Sequence, residues 1–373
     1  MQTEDHPKIQ TKQAFLLRPY QQRAVEWAML SHSGLIIAPA GCGKTLIASS
    51  IIKQAATKFP TVSFGWLAPT RETCQQATKA LIAAGVDISR VEVRCPHESV
   101  DFSKKAVLIV DEAKHAPAVT WSRIIESCPG SVFGFDATPW GDDPERNTIL
   151  RNLFRNNIFE IKREELGNVL AHATVYMSSA TDFLIQQKID DHIEQLFTDR
   201  KRYMRISQPE LRAMCAWEAI TEIGIVGNKQ RNGAAIMFAN CGGHSPTLVL
   251  VPRVTLGEEY AKAIGDAVLV YSKMAKKARR EAMEEFKAGN IKTMIATSLA
   301  DEGLDLPNVE TLVMVSGGRS AQKTIQRASR ALRKAPGKEM AFIHDFKDNF
   351  HPLAQAHANK RIKCYKELGC AIL

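Results

Sequence analysis

No run of apolar residues in this chain of 373 approaches the length of a membrane span, and hydrophobic residues make up an ordinary 45%. The first thirteen residues are polar and carry Asp, Glu and Pro, so they lack the apolar core of a signal peptide. A soluble, cytoplasmic protein is expected. Eight cysteines (Cys42, Cys74, Cys95, Cys128, Cys215, Cys241, Cys364 and Cys370) form no Cys-x-x-Cys pair and no Cys/His cluster at zinc spacing. They read as reduced, buried or incidental thiols. His32, His97, His115, His172, His244 and His351 are scattered, which favours surface or satisfied core positions over metal ligation. Neither a short repeat nor a low-complexity tract is present, excluding solenoids and arrays.

What the chain does have is positive charge: 49 Lys and Arg against 40 Asp and Glu, a formal net charge of +9. A polyanionic partner is favoured on that ground, though charge alone is weak evidence. Basic residues crowd at Arg200 to Arg205, Lys276 to Arg280, Arg319 to Lys334 and Lys360 to Lys363, and each run taken singly reads as a solvated helix face.

The most informative stretch is Gly34 to Thr45. An apolar run feeds a Gly-rich turn ending in Lys44-Thr45, with a helical segment after it. Gly41 and Gly43 let the backbone curl so that the N–H groups of Ala40 to Thr45, Cys42 included, point at phosphate oxygens. The helix N-terminus adds partial positive charge, Lys44 a full one, and Thr45 would hold Mg²⁺. The general pattern asks for Gly where the chain has Ala38. A second apolar run, Val107 to Val110, ends in Asp111-Glu112, placing one carboxylate on the metal and a second where it can activate water.

Apolar runs alternate with amphipathic segments through the first half. Strands are predicted at Gly34–Ala38, Val62–Ala68, Ala106–Val110 and Ser131–Phe135, and helices at Tyr20–Ser31, Lys44–Lys58, Arg71–Ala84 and Ala118–Ser127. From about Lys162 the chain turns polar, helix-favouring and free of strand signals. Strands return at Thr247–Val251, Ala267–Tyr271, Thr293–Ala296, Thr311–Val315 and Met340–Ile343, with helices at Leu256–Ile264, Lys276–Lys287 and Ala321–Leu332. The predicted fold class is α/β, two parallel-sheet domains in tandem: 1–161, a helical connector 162–223, and 224–373. The second domain holds no copy of the phosphate loop, so one nucleotide site is expected. It offers instead Gln326 to Arg333, where Arg327, Arg330 and Arg333 fall three apart on one helix. Such arginines can stabilise charge on a transferring phosphoryl group, or form only a basic face.

These residues, in this order, resemble a superfamily-two helicase of the DEAD/DEAH-box type from about Leu17 to Phe346. Leu17 to Gln22 is similar to the adenine-reading segment, with Gln21 the base contact. Ala38 to Thr45 matches the helicase form of the loop, in which Ala at the first position is ordinary. Ala68-Pro69-Thr70-Arg71-Glu72 resembles a segment that grips nucleic-acid backbone, Asp111-Glu112-Ala113-Lys114 the Asp-Glu box, and Asp136-Ala137-Thr138-Pro139 the coupling segment. Val251-Pro252-Arg253 is similar to a further strand-gripping motif. Ala296 to Pro307 resembles the motif in which Thr297 touches the track while Gly303 and Asp305 face the nucleotide. Gln326 to Arg333 resembles the arginine-finger motif, with Arg330 and Arg333 the fingers.

The resemblance implies two RecA-like domains closing on Mg²⁺·ATP, with Glu112 as the base that activates water. It implies a nucleic-acid track held by Thr70, Arg71, Arg253 and Thr297. DNA is favoured by likeness to compact bacterial or phage DNA helicases, and RNA is the rival. A protein partner from a replication or repair complex is compatible, as is an ATP-driven loading or remodelling subunit that does not itself unwind. Three residues depart from the family. Lys114 stands where the boxes put His or Asp, Asp136 replaces Ser or Thr, and Ser329 replaces Gly. A salt bridge between Lys114 and Asp136 is the expected substitute for the family's bond between these segments. Trp140 could stack on a base, with core packing favoured; Asn228, Arg231 and Asn232 read as polar helix surface or a wall of the track groove.

Overall fold

The computed structural model describes residues 16–141, 143–169, 171–180, 183–201, 204, 206–241, 245–297, 306, 309–318, 320–332, 334 and 338–373. The chain divides between Leu166 and Gly167 into two compact units.

The first unit runs α1 (Pro19–Leu30), β1 (Gly34–Ile37), α2 (Lys44–Lys58), β2 (Phe64–Leu67), α3 (Arg71–Ala83), β3 (Val91–Arg94), β4 (Val107–Asp111), α4 (Val119–Glu126), β5 (Ser131–Asp136), α5 (Pro144–Leu153) and β6 (Ile158–Glu160). Its six strands lie in the order β3-β2-β4-β5-β1-β6, all parallel. β2 is buried throughout and β4 at every residue but its last, as expected of a sheet covered on both faces. Leu35, Leu67, Leu108 and Val110 pack on one face with Trp121, Leu150 and Phe154. The predicted strands and helices of this unit are present. β3 and β6 were not foreseen because each is a short edge strand carrying charge: Glu92 and Arg94 in one, Glu160 in the other.

The second unit runs β7 (His172–Ala180), α6 (Phe183–Arg200), α7 (Gln208–Ala219), a π-helical stretch (Ile220–Val226), α8 (Lys229–Cys241), β8 (Thr247–Leu250), α9 (Val254–Ile264), β9 (Ala267–Val270), α10 (Lys276–Ala288), β10 (Thr293–Ala296), β11 (Thr311–Met314), α11 (Ala321–Ala331), β12 (Met340–Asp348), α12 (Pro352–Glu367) and β13 (Ala371–Ile372). Seven parallel strands take the order β13-β7-β12-β11-β8-β10-β9. Alternate residues serve opposite faces. Leu248 and Leu250 pack with Phe286, Ala328 and Tyr365, whereas Val249 and Val251 pack with Ile189, Leu211, Cys215 and Tyr260.

The helical connector expected over 162–223 needs correcting. β7 lies within it and pairs with β12 from His172↔Met340 to Ala180↔Asp348. Its sequence, His-Ala-Thr-Val-Tyr-Met-Ser-Ser-Ala, is diluted with small polar residues, so the strand depends on its partner rather than on its own apolar alternation. α6 and α7 bury Ile189, Ile193, Leu211 and Cys215 against the second sheet and so form one of its covering layers.

Candidate functional site: a phosphate loop and an acidic strand edge

Open parallel sheets bind ligands at the carboxyl ends of their strands. In the first unit three neighbouring strands, β4, β5 and β1, bring Asp111, Asp136 and the loop after Ile37 to that edge. Ile37 is in register with Asp136, and Asp111 with Phe135. The loop is tied down where it leaves β1, since the Ala38 N–H donates to the Asp136 carbonyl at 2.8 Å. Gly41 and Gly43 take φ of 85° and 86°, a left-handed backbone that an L side chain adopts only with strain. At Gly43 space is short as well, because an added Cβ would stand 2.6 Å from Gln21 Nε2. Gly43 caps α2, which puts Lys44 and Thr45, both partly buried, in the first helical turn with its unpaired N–H groups. Ala40 lies on the same turn.

Gln21 is 3% exposed and braces this loop. Its Nε2 donates to the Cys42 carbonyl at 2.8 Å, its Oε1 accepts the Arg18 N–H at 2.9 Å, and the Tyr20 hydroxyl donates to the same carbonyl at 3.2 Å. One amide N–H and one lone pair remain for the expected base contact. The bracing role of Tyr20 carried no sequence signal beyond its place in the Arg-Pro-Tyr-Gln segment.

Around Lys44 the charges are of one sign. Burial pulls its ammonium down, but Glu112, then Cys42, Asp136 and Asp111, more than reverse this and hold it above its usual value. Burial, with Glu112 alongside, pushes Asp111 up to about 6 despite Lys44. Glu112 goes the other way: burial would raise it, yet Lys44 and Lys114 hold it below the usual carboxylate range. The backbone of Glu112 is left-handed, φ 53°, an uncommon state for a non-glycine residue and one that clusters at functional sites.

The expected salt bridge between Lys114 and Asp136 is not the one that forms. Lys114 Nζ donates to Glu112 Oε2 at 2.6 Å, while it is the backbone N–H of Lys114 that donates to Asp136 Oδ2 at 2.9 Å. Asp136 is 1% exposed, and its other oxygen accepts the Thr138 N–H at 2.9 Å. A carboxylate thus clasps two backbone N–H groups and ties the Asp-Glu box to the coupling segment. The turn at Lys114 brings its side chain back over Glu112, which the sequence could not show.

Thr70 caps α3: its Oγ1 accepts the Thr73 N–H at 3.2 Å and its own N–H donates to Thr73 Oγ1 at 3.0 Å. Arg71 follows, 70% exposed at its side chain, with Nε 3.6 Å from Glu98. In the second unit, Arg253 caps α9 from the end of β8 and pairs with Glu222 at 2.6 Å. Thr297, partly buried, follows β10. Gln326 and Arg330 lie on α11, a helix that buries Thr324, Arg327, Ala328 and Ala331. Ser329 is 5% exposed, with no partner for its hydroxyl among the described residues. Gly303, Asp305 and Arg333 lie outside the described residues.

Several polar residues have other positions than expected. Arg231 is buried and bonded to Asp348, and Asn232 is buried with its Nδ2 on the Ile225 and Val226 carbonyls, so neither is surface or groove wall. Trp140 packs on the first core with the Arg151 guanidinium 4.3 Å from its ring centre. Cys74 joins Cys95, His97 and Glu98, near neighbours in sequence, beyond β3. There burial and Cys95 push the Cys74 thiol up to about 12. Among the described residues no helix is long and apolar enough to cross a membrane.

Two parallel-sheet α/β units, the first with a phosphate loop beside acidic strand ends, define the RecA-like class. Two family models match: the res subunit of type III restriction enzymes over residues 14–88, and the helicase conserved C-terminal domain over 217–335. The DNA 3'-5' translocase XPB2 of Sulfurisphaera tokodaii is 23% identical over 85% of this chain and 79% of its own length. The ATP-dependent RNA helicase DHH1 of Meyerozyma guilliermondii is 22% identical over 87% of this chain and 58% of its own. The helicase domain of Pyrococcus furiosus Hef superposes with a TM-score of 0.55 at 16% identity, covering 91% of this chain and 97% of that one, and so shares the fold. Together the two models and these relatives make the chain similar to the superfamily-two helicases of the DEAD/DEAH-box type. It spans about half the length of several of the curated relatives that it matches.

Proposed function

We propose that this chain hydrolyses Mg²⁺·ATP and uses the hydrolysis to move along nucleic acid, DNA in the first instance. The observation that carries this reading is the gathering of Lys44, Asp111, Glu112 and Asp136 at the carboxyl ends of β1, β4 and β5, beside a loop whose backbone is already left-handed at two glycines. Lys44 and the loop N–H groups hold the phosphates, and Thr45 and Asp111 hold the Mg²⁺, which screens phosphate charge when bound. The metal also suits the residues themselves, since Asp111 and Glu112 stand as mutually repelling neighbours that a divalent cation would relieve. Glu112 takes the proton of the attacking water. Arg330 and Arg333 stabilise the charge that develops on the γ-phosphoryl group, with Gln326, Gly303 and Asp305 completing the nucleotide contacts.

Thr70, Arg71, Arg253 and Thr297 hold the track by its backbone, which predicts little sequence preference and strong salt dependence. Asp136 and Thr138 relay movement to Glu112 through the Lys114 N–H. DNA is favoured over RNA by relatives named as DNA translocases and DNA helicases, RNA remaining the alternative because relatives named as RNA helicases match over a similar span.

Steady-state ATP hydrolysis by wild type and Lys44→Ala, at fixed low salt with single-stranded DNA, duplex DNA or RNA, tests the reading. Stimulation by DNA, and loss of turnover by about a thousandfold in the variant, is expected. Hydrolysis that depends on Lys44 but responds to no nucleic acid would point to a protein partner instead. Strand-displacement and triplex-displacement assays then separate unwinding from translocation without unwinding.

A further inference from the structure

We infer that Cys95, His97 and Glu98, with Cys74 as fourth ligand, form a binding site for a thiophilic divalent cation of the zinc class, at the edge of the first unit and separate from the nucleotide site. The ligating atoms of Cys95, His97 and Glu98 all lie within 4.8 Å of one another. Cys74 Sγ stands 3.2 Å from Cys95 Sγ. Ligands about 2.3 Å from a tetrahedral zinc ion are roughly 3.7 Å apart, so closing the site takes movements of about an ångström. Two sulfurs, an imidazole and a carboxylate make a donor set that suits zinc and not magnesium.

The fold holds the donors in place from two directions. β3 ends at Arg94, and the turn after it is closed twice, by the Glu98 N–H on the Cys95 carbonyl at 3.1 Å and by the Cys95 N–H on Glu98 Oε2 at 3.2 Å. Cys74 comes from the first turn of α3. The two elements are fixed to each other by the Ala68 N–H, which donates to the Arg94 carbonyl at 3.0 Å. Cys95 is 1% exposed whereas His97 is exposed, which gives the site a protected wall and an open side for entry. Nothing in the spacing announces it, because Cys74 and Cys95 are brought together only by the parallel pairing of β2 with β3.

The site also touches the expected track. Glu98 Oε1 is 3.6 Å from Arg71 Nε, so a cation that takes this carboxylate frees the guanidinium for a phosphate. This consequence rests on the proposed function, whereas cation binding does not.

The test loads the reduced full chain with Co²⁺ as a spectroscopic probe and then adds Zn²⁺. Stoichiometric uptake is expected, with a tetrahedral ligand-field band and a thiolate charge-transfer band, both abolished by Zn²⁺. His97→Ala, an exposed change that leaves the core intact, and Cys95→Ser should each weaken Co²⁺ binding by at least about tenfold; Cys128→Ser, a buried thiol outside the cluster, should not. Absence of a thiolate band, unchanged binding in His97→Ala and Cys95→Ser, or a Cys74–Cys95 disulfide in a chain that takes up no metal when reduced would each overturn the site. Affinity for single-stranded DNA, with and without Zn²⁺, reads the coupling: a zinc-dependent rise in wild type that His97→Ala lacks supports it, and an unchanged affinity overturns the link to Arg71. A chain that binds Co²⁺ through thiolate but binds no nucleic acid under any condition keeps the site and loses the reading of function.

Discussion

Both units place carboxylates at the carboxyl ends of their strands, and they treat that charge in opposite ways. In the second unit the acidic strand end is closed by arginine. Asp345 and Asp348 end β12; Arg361 donates to both Asp345 oxygens at 2.8 and 3.1 Å and to the Phe346 and Gly318 carbonyls, and the Tyr365 hydroxyl donates to Asp345 at 2.7 Å. Arg231 donates to Asp348 at 2.8 Å and to the Val315 carbonyl at 3.0 Å, with the Phe346 ring 4.1 Å beneath it. In the first unit, Lys44 lies among Asp111, Glu112 and Asp136 next to a glycine loop, and burial, with Glu112 alongside, raises both Asp111 and Asp136. A buried charge cluster that is fully hydrogen-bonded serves the fold, whereas one left short of positive charge invites a ligand.

Breaking the closed network should give the largest loss of stability. Asp345→Ala leaves Arg361 and Tyr365 buried without their partner and is expected to cost about 3–5 kcal/mol in the unfolding of the second unit. Adding Arg361→Met should recover part of that cost, a non-additivity that chemical denaturation of the four members of the cycle would measure. Asp111→Ala, by contrast, removes one of several crowded carboxylates. It should change stability by less than about 1 kcal/mol while abolishing hydrolysis. Similar destabilisation by both changes would erase the distinction between the units.

A sharper probe is Lys114, which with Lys44 brings positive charge to the acidic edge of the first unit. Because Lys114 holds Glu112 Oε2 and its own N–H is bonded to Asp136, movement of the segment at Asp136 would withdraw it from Glu112, the proposed base. Lys114→Met is therefore expected to raise hydrolysis in the absence of a track by up to about tenfold, and to shrink the stimulation that a track gives. Lower turnover both with and without a track would mean that Lys114 orients Glu112 rather than restraining it. Exchanging charges between Lys114 and Asp136 tests nothing here, since the two side chains do not pair.

The first unit was largely legible because its signals are local. The Ala38 to Thr45 loop, the Asp111-Glu112 strand end and the capping Thr70 each form their local structure within a few adjacent residues. What stayed hidden is created by pairing across the chain. β7 needs β12, the Cys74 to Glu98 cluster needs β2 beside β3, and the Lys114 side chain folds onto Glu112 only through the left-handed turn at that residue. Arg231 and Arg361 misled for the same reason. A basic residue on a helix reads as solvated until a carboxylate more than a hundred residues away, in the case of Arg231 and Asp348, is placed against it.

His344 separates buried charge from buried neutrality in the second unit. Its ring is stacked between Tyr176 and Phe238, with centroids at 5.2 and 4.4 Å, and its Nδ1 has no hydrogen-bond partner among the described residues. Burial pulls its pKa from 6.5 down to about 4. Between these two values the unfolded chain takes up a proton that the folded chain refuses, so the stability that neutral His344 supports is fully present above pH 6.5 and is lost as pH falls toward 4. The loss attributable to this ring is at most about 3 kcal/mol. His344→Phe keeps the stack and removes the proton. Its unfolding free energy should therefore fall less steeply than that of wild type between pH 6.5 and pH 4, and parallel pH dependences for the two proteins would show that the ring titrates alike in both states.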